Sequence, residues 1–209
     1  MPSLNKNKVK ICGLSEESTL RAAIDAGADM VGFVHFPKSP RHVSLARAAE
    51  LKKLLPPNVK SVIVTVNPSD DLVNEILGIV NPDYIQLHGN ETLDQIAQIH
   101  AKTGIIKAIP VSTPDDIVEM ACDMLMFDAK PPKEASLPGG NGIAFDWKIL
   151  KGFQTMRPWM LSGGLTPENV QQAIRESGAT FVDVSSGVEN KPGVKDAGKI
   201  KAFIETAKA

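Results

Sequence analysis

The sequence predicts a closed barrel of eight parallel strands ringed by helices, the (β/α)8 or TIM-barrel fold. Three observations predict it. Eight short β-rich runs recur along 209 residues, helical patterns fill the gaps between them, and several runs are apolar nearly throughout, as in strands buried on both faces.

The elements follow in order. The first strand is VKIC (9–12). Ser15, with Glu16 and Glu17 behind it, reads as a helix cap with acidic residues at the positive helix end, and Gly27 marks the stop. MVGFVHF (30–36) and SVIVTVN (61–67) are the second and third strands. A helix follows the third, carrying the stripe Leu72, Val73, Ile76, Leu77 and Val80. The fourth strand is DYIQLH (83–88), and the next helix has Leu93, Ile96, Ala97 and His100 at i, i+3, i+4 and i+7, with Gly104 as its stop. IIKAIPV (105–111) leads into Thr113-Pro114-Asp115, a cap before a proline at the first helical position. MLMFDA (124–129) runs into the one long loop, residues 130–144, and then into Phe145–Leu150, enough for only a turn or two. RPWMLS (157–162) precedes a second cap-proline signal, Thr166-Pro167-Glu168. TFVDVS (180–185) is the eighth strand, and Ile200, Phe203, Ile204 and Ala207 form the last helical stripe.

An open doubly wound sheet is the competing architecture. Its glycine fingerprint is missing, because Cys12-Gly13-Leu14 is not GxGxxG. The barrel is expected to occupy the whole chain, 1–209, as one catalytic domain, at the compact end for this fold. Bulk properties narrow the function. The net charge is −1 with no Lys/Arg run, which argues against nucleic acid as a partner. No stretch of about 18 apolar residues reads as a membrane span. The amino-terminal lysines have no apolar segment behind them, so no secretory signal is read there. Two cysteines do not make a disulfide framework, and a cytoplasmic setting is expected.

In this fold, chemistry sits at the carboxyl ends of the strands. Those ends carry Cys12, His35 with Ser39-Pro40-Arg41, Asn67, Gln86 and His88, Asp128, Ser162-Gly163-Gly164, and Asp183 with Ser185-Ser186-Gly187. Glycines let backbone N–H groups approach an anion, and serine hydroxyls add donors. Loops seven and eight, with Gly139-Gly140-Asn141-Gly142 as a third wall, therefore predict a phosphate site. The alternative is that these glycines only make tight turns. Cys12 is a candidate general base if positive potential favours its thiolate, with Lys10 sharing its face or not according to register. The bland reading is a small buried hydrophobe, which suits Cys122 better. Asp128, after four apolar residues, is a candidate proton donor or a structural carboxylate. Arg41 is a candidate carboxylate clamp or an ordinary exposed arginine. His88 is a candidate base or a structural histidine. The histidines and cysteines lack metal-ligand spacing, and no metal is expected.

Six blocks in order along the chain resemble the phosphoribosylanthranilate isomerases. They are KICG (10–13), GFV (32–34) with SPRHV (39–43), QLHG (86–89), Asp128 with GGNG (139–142) and FDW (145–147), SGGL (162–165) with PENV (167–170), and VDVSSGVE (182–189) with Pro192, Gly193, Lys195 and Asp196. Two positions depart from the pattern: Asn141 stands for the usual threonine, and Ser162 where alanine is common.

The resemblance implies an aldose–ketose isomerisation of the Amadori type in tryptophan biosynthesis. It implies Cys12 as general base and Asp128 as general acid. It implies Arg41 on the anthranilate carboxylate, and backbone N–H groups around Gly142, Gly164, Ser186 and Gly187 on the phosphate. Gln86, His88, Gly163, Asp183 and Ser185 complete the expected substrate-binding set. No cofactor is expected, and the partner is a small phosphorylated substrate acting on a monomer or homodimer. Two other readings stand beside it. One is another phosphate-binding barrel, such as an indole-forming lyase or a pentose-phosphate epimerase. The other is a barrel that senses a phosphate ligand without turning it over.

Overall fold

The computed structural model describes residues 7–131, 139–140 and 142–209. Eight parallel strands close into a barrel in chain order. They are β1 (Lys8–Cys12), β2 (Met30–Val34), β3 (Lys60–Thr65), β4 (Tyr84–Leu87), β5 (Gly104–Val111), β6 (Met124–Ala129), β7 (Trp159–Leu161) and β8 (Phe181–Val184). Each matches one expected run. Closure comes from β1 pairing with β8, Lys8 opposite Phe181 through Ile11 opposite Val184.

Side chains on a strand alternate between faces, and here the alternation builds two cores. The outward set includes Val9, Ile11, Val31, Phe33, Leu125 and Phe127, and it packs against the helices. The inward set includes Met30, Val62, Ile106, Met124, Met126, Met160 and Phe181, and it fills the barrel. Cys12 belongs to the inward set and Asp128 continues it, two residues beyond Met126. The same alternation places them above a packed floor, facing the mouth.

The surrounding helices are α1 (Glu17–Asp25), α2 (Leu45–Lys52), α3 (Asp70–Ile79), α4 (Leu93–His100), α5 (Val170–Ser177) and α6 (Ala197–Lys208). Several sequence expectations need correction. Glu16, not Ser15, precedes α1, and its side chain makes no capping bond. In α4 the buried residues are Ile96 and Ile99. Leu93 is exposed, and His100 turns outward to Asp123 at 3.0 Å, so the packed face is one step round from the expected stripe. Gly104 is the first residue of β5 and ends no helix. A side chain there would strike the Tyr84 ring at 2.8 Å, so close packing requires the glycine.

The cap-proline signals also behave differently from expectation. Thr113-Pro114-Asp115 starts only a 3-10 turn, Pro114–Asp116. The Asp116 carboxylate folds back onto the Ser112 and Thr113 amides, and Ile117 is already extended. Thr166 and Pro167 form a turn before α5, which starts at Val170. The stripe of α6 is buried as expected. One addition had no sequence signal: β9 (Glu189–Lys191) and β10 (Val194–Lys195) form an antiparallel hairpin just after β8.

Candidate active site

The carboxyl ends of the strands open into a cleft. Of the twelve residues expected there, eleven line it: Cys12, Arg41, Gln86, His88, Asp128, Gly142, Gly163, Gly164, Asp183, Ser185 and Ser186. Gly187 does not. It lies against the Leu165 carbonyl, where any Cβ would collide. Asn141, expected in the third wall, lies outside the described residues.

Asp128 ends the inward series of β6. Its Oδ1 accepts the Ala129 amide at 2.8 Å, and its Oδ2 lies 3.2 Å from His88 Nε2. On the other side of the ring, His88 Nδ1 meets Gln86 Nε2 at 3.1 Å. His88 thus bridges Gln86 and Asp128, one ring nitrogen toward each. Gln86 and His88 share one face of their strand, two residues apart, and together orient the carboxyl. Gly163 is required here. A Cβ would lie 2.6 Å from the Ala129 nitrogen and 3.0 Å from Asp128 Oδ1, and its φ of +89° suits glycine.

Cys12 ends β1 opposite Gly32 of β2, with its Sγ in the cleft wall. Burial pushes its thiol up from the ordinary value, Lys10 and Lys195 pull it down, and Asp183 adds to the rise. Burial is the largest of these influences, and the thiol is held above its ordinary value.

Arg41 is no ordinary exposed arginine. It is buried, with Nε 2.7 Å from Glu189 Oε1 and Nη2 2.9 Å from Glu189 Oε2. This two-pronged pair uses one edge of the guanidinium and leaves Nη1, beside Gly140, for the cleft. Glu189 also accepts from Lys195 Nζ at 2.8 Å, and Lys195 donates to the Ser185 carbonyl at 2.8 Å. Burial acts against the Glu189 charge, but Arg41 and Lys195 outweigh it and hold the carboxyl below its usual range. For Lys195 burial wins, and its ammonium is held below its usual value.

Loops seven and eight build the wall of the cleft where an anion site was expected. Gly163 and Gly164 both have positive φ, and the amides of Gly163, Gly164 and Ser186 have no acceptor among the described residues. Gly164 carries the backbone of Ile143 and Ala144 directly on its α-carbon, where a Cβ would lie 2.5 Å from the Ala144 nitrogen. Its carbonyl accepts from Asn169 at 2.9 Å, which ties the loop to the start of α5.

A profile for N-(5'-phosphoribosyl)anthranilate isomerase matches residues 9–206. The chain belongs to this family. It is 54% identical over 208 residues to the isomerase of that name from Paracoccus denitrificans, covering 96% of this chain and 97% of that one. The counterpart from Cereibacter sphaeroides is 49% identical, over 96% and 98% of the two chains. Among solved structures, the phosphoribosylanthranilate isomerase of Thermotoga maritima superimposes with a TM-score of 0.86 at 36% identity, over 97% and 98% of the chains. A phosphoribosylanthranilate isomerase in complex with reduced 1-(o-carboxyphenylamino)-1-deoxyribulose 5-phosphate superimposes with a TM-score of 0.82 at 35% identity, over the same shares.

For a member of the phosphoribosylanthranilate isomerase family, two site features were missed in the sequence and a third was left open by register. Glu189 and Lys195 lie beyond the last barrel strand, on a hairpin that turns back to the mouth. Their only signal was a charge pair in the block that closes the family resemblance. The third is Lys10. The strand interiors read as apolar, yet Lys10 is wholly buried inside the barrel, with Nζ 2.7 Å from Asp183 Oδ1. Alternation along β1 settles the register question: Lys10 shares the face of Cys12. Ser162, one of the two departures, donates to Asp183 Oδ2 at 3.0 Å.

Proposed function

We propose that this chain isomerises N-(5'-phosphoribosyl)anthranilate to 1-(2-carboxyphenylamino)-1-deoxyribulose 5-phosphate, with Cys12 as general base and Asp128 as general acid. One observation carries the assignment: the thiol of β1 and the carboxyl of β6 line the same cleft, with an anion-binding wall at one side and an arginine at its rim. Asp128 gives a proton to the furanose ring oxygen, and the C1–O bond breaks as the anthranilate nitrogen forms an iminium. Cys12 removes the C2 proton, and the electron pair moves toward the iminium to give the enolamine. Tautomerisation yields the ketose. The iminium supplies the electron sink, so the residues of the cleft suffice and no cofactor is invoked.

Nη1 of Arg41 holds the anthranilate carboxylate. The amides of Gly163, Gly164 and Ser186, with Gly142 and Ser185 beside them, hold the phosphate. Gly187 contributes by letting the Leu165 backbone close under this wall. Phosphate binding fixes the sugar so that C2 and the ring oxygen face their two groups. Asp183 faces the cleft but is committed to Lys10 and Ser162, which suits it to the floor better than to substrate. The partners are a phosphorylated small molecule and at most a second copy of the chain, and two free buried cysteines suit the reducing cytoplasm.

The substrate is fluorescent through its anthranilate group, and the signal falls on isomerisation. The parent protein should consume it. Asp128→Asn keeps the size and the His88 neighbour but cannot donate the carboxyl proton, so turnover should fall by about 100-fold or more. A near-normal rate for Asp128→Asn would move the acid to another group, with His88 the first alternative.

A further inference from the structure

We propose that the buried chain Ser162–Asp183–Lys10 is an electrostatic floor that sets the proton affinity of Cys12, with Lys10 and Asp183 acting in opposite directions as positioning residues. The inference rests on the reading of Cys12 as the base and deepens it.

Lys10 has no exposed surface, and a lone buried ammonium is costly unless paired. Asp183 Oδ1 at 2.7 Å is its one oxygen partner among the described residues. Ser162 Oγ satisfies the other carboxylate oxygen at 3.0 Å. Burial opposes the Lys10 charge, but Asp183 and Cys12 more than offset it, and the ammonium is held above its ordinary range. Lys10 is the inward residue one step below Cys12 on β1. A methyl at Gly32 would meet Cys12 Sγ at 3.0 Å and Lys10 Nζ at 3.2 Å, so the two atoms flank one small space that β2 leaves open. An ammonium this close favours the thiolate, and the carboxylate behind it partly cancels that effect. The other charged or titratable groups around the thiol are Lys195 from β10, and Asp128, Lys130, His88 and Arg41 on the remaining walls of the cleft. Without Lys10, removal of the C2 proton would require a thiolate in a site with little to stabilise it. Without Asp183, Lys10 would hold the thiolate too well for a base that must take up a proton.

Two substitutions test this because they push the thiol in opposite directions. The readout is iodoacetamide alkylation of Cys12 near neutral pH, followed by mass spectrometry of the Cys12 peptide and independent of turnover. Lys10→Met should slow the labelling by about tenfold, because fewer molecules carry the thiolate. Asp183→Asn, nearly isosteric, should speed it. A barrel merely loosened by either change would label faster in both variants, so that result would overturn the proposal, as would unchanged rates. If Lys10→Met fails to fold, the double variant Lys10→Met with Asp183→Asn carries neither buried charge. It should label more slowly than Asp183→Asn alone, and an equal or faster rate would overturn the proposal. The base assignment is judged separately, by turnover of Cys12→Ala. An active Cys12→Ala would remove the base and leave the labelling order intact.

Discussion

Arg41 shows how far a single residue's role depends on its neighbours. Its sequence setting, Ser39-Pro40-Arg41, suggested a carboxylate clamp, but not that one edge of the guanidinium is already taken by Glu189. Glu189→Gln keeps the shape and loses the charge. It should leave Arg41 less firmly aimed and raise KM by about tenfold with a smaller change in kcat. An unchanged KM would show that Arg41 is fixed without Glu189. The same residue links the site to stability. Its folded-state pKa lies below the ordinary value of 4.5. The stability it contributes is therefore complete above that value and is lost as pH falls through the lower folded-state one. The Gln variant should be less stable at neutral pH and should lose less on acidification, which thermal melts across the acid range would show.

At the scale of elements, the strands were legible and the connections less so. All eight runs appear as strands because a parallel barrel buries both faces, and continuous apolar stretches such as Met124–Phe127 have few other uses. Cap signals were weaker guides. Thr113-Pro114 has the start of a helix, but Asp116 bonds back to the cap and Ile117 is already extended, so the chain makes one turn and stops. The β9–β10 hairpin was invisible because it is short and mostly polar, although it supplies Glu189 and Lys195. The glycine loop after β7 was readable, and its geometry sharpens the expectation. At Gly164 a methyl group would meet both a positive φ and the Ala144 backbone. Gly164→Ala should cost about 1–3 kcal/mol of stability and weaken inorganic phosphate binding. A variant as stable as the parent with the same phosphate affinity would remove this loop from the anion site.

Across the whole molecule, the barrel gathers residues far apart in sequence at one mouth. Cys12 comes from the first strand, Asp128 from the sixth and the glycine loops from the last two connections. Strand order and the two-residue alternation made that convergence predictable, because both place the last inward residue of each strand at the rim. They did not show how two of these residues pair one step deeper. Lys10 and Asp183 are each one inward position below the mouth, where side chains usually pack as hydrocarbon, and only closure of β1 onto β8 brings them together. The reaction assigned to this arrangement depends on the thiol more than on any other group. The most direct test is single turnover of phosphoribosylanthranilate by Cys12→Ala, with binding of the product analogue measured on the same protein. The rate should fall by about 100-fold or more while the analogue binds nearly as well as to the parent. A rate within a few-fold of the parent would contradict proton removal by Cys12 and require another base at the same mouth.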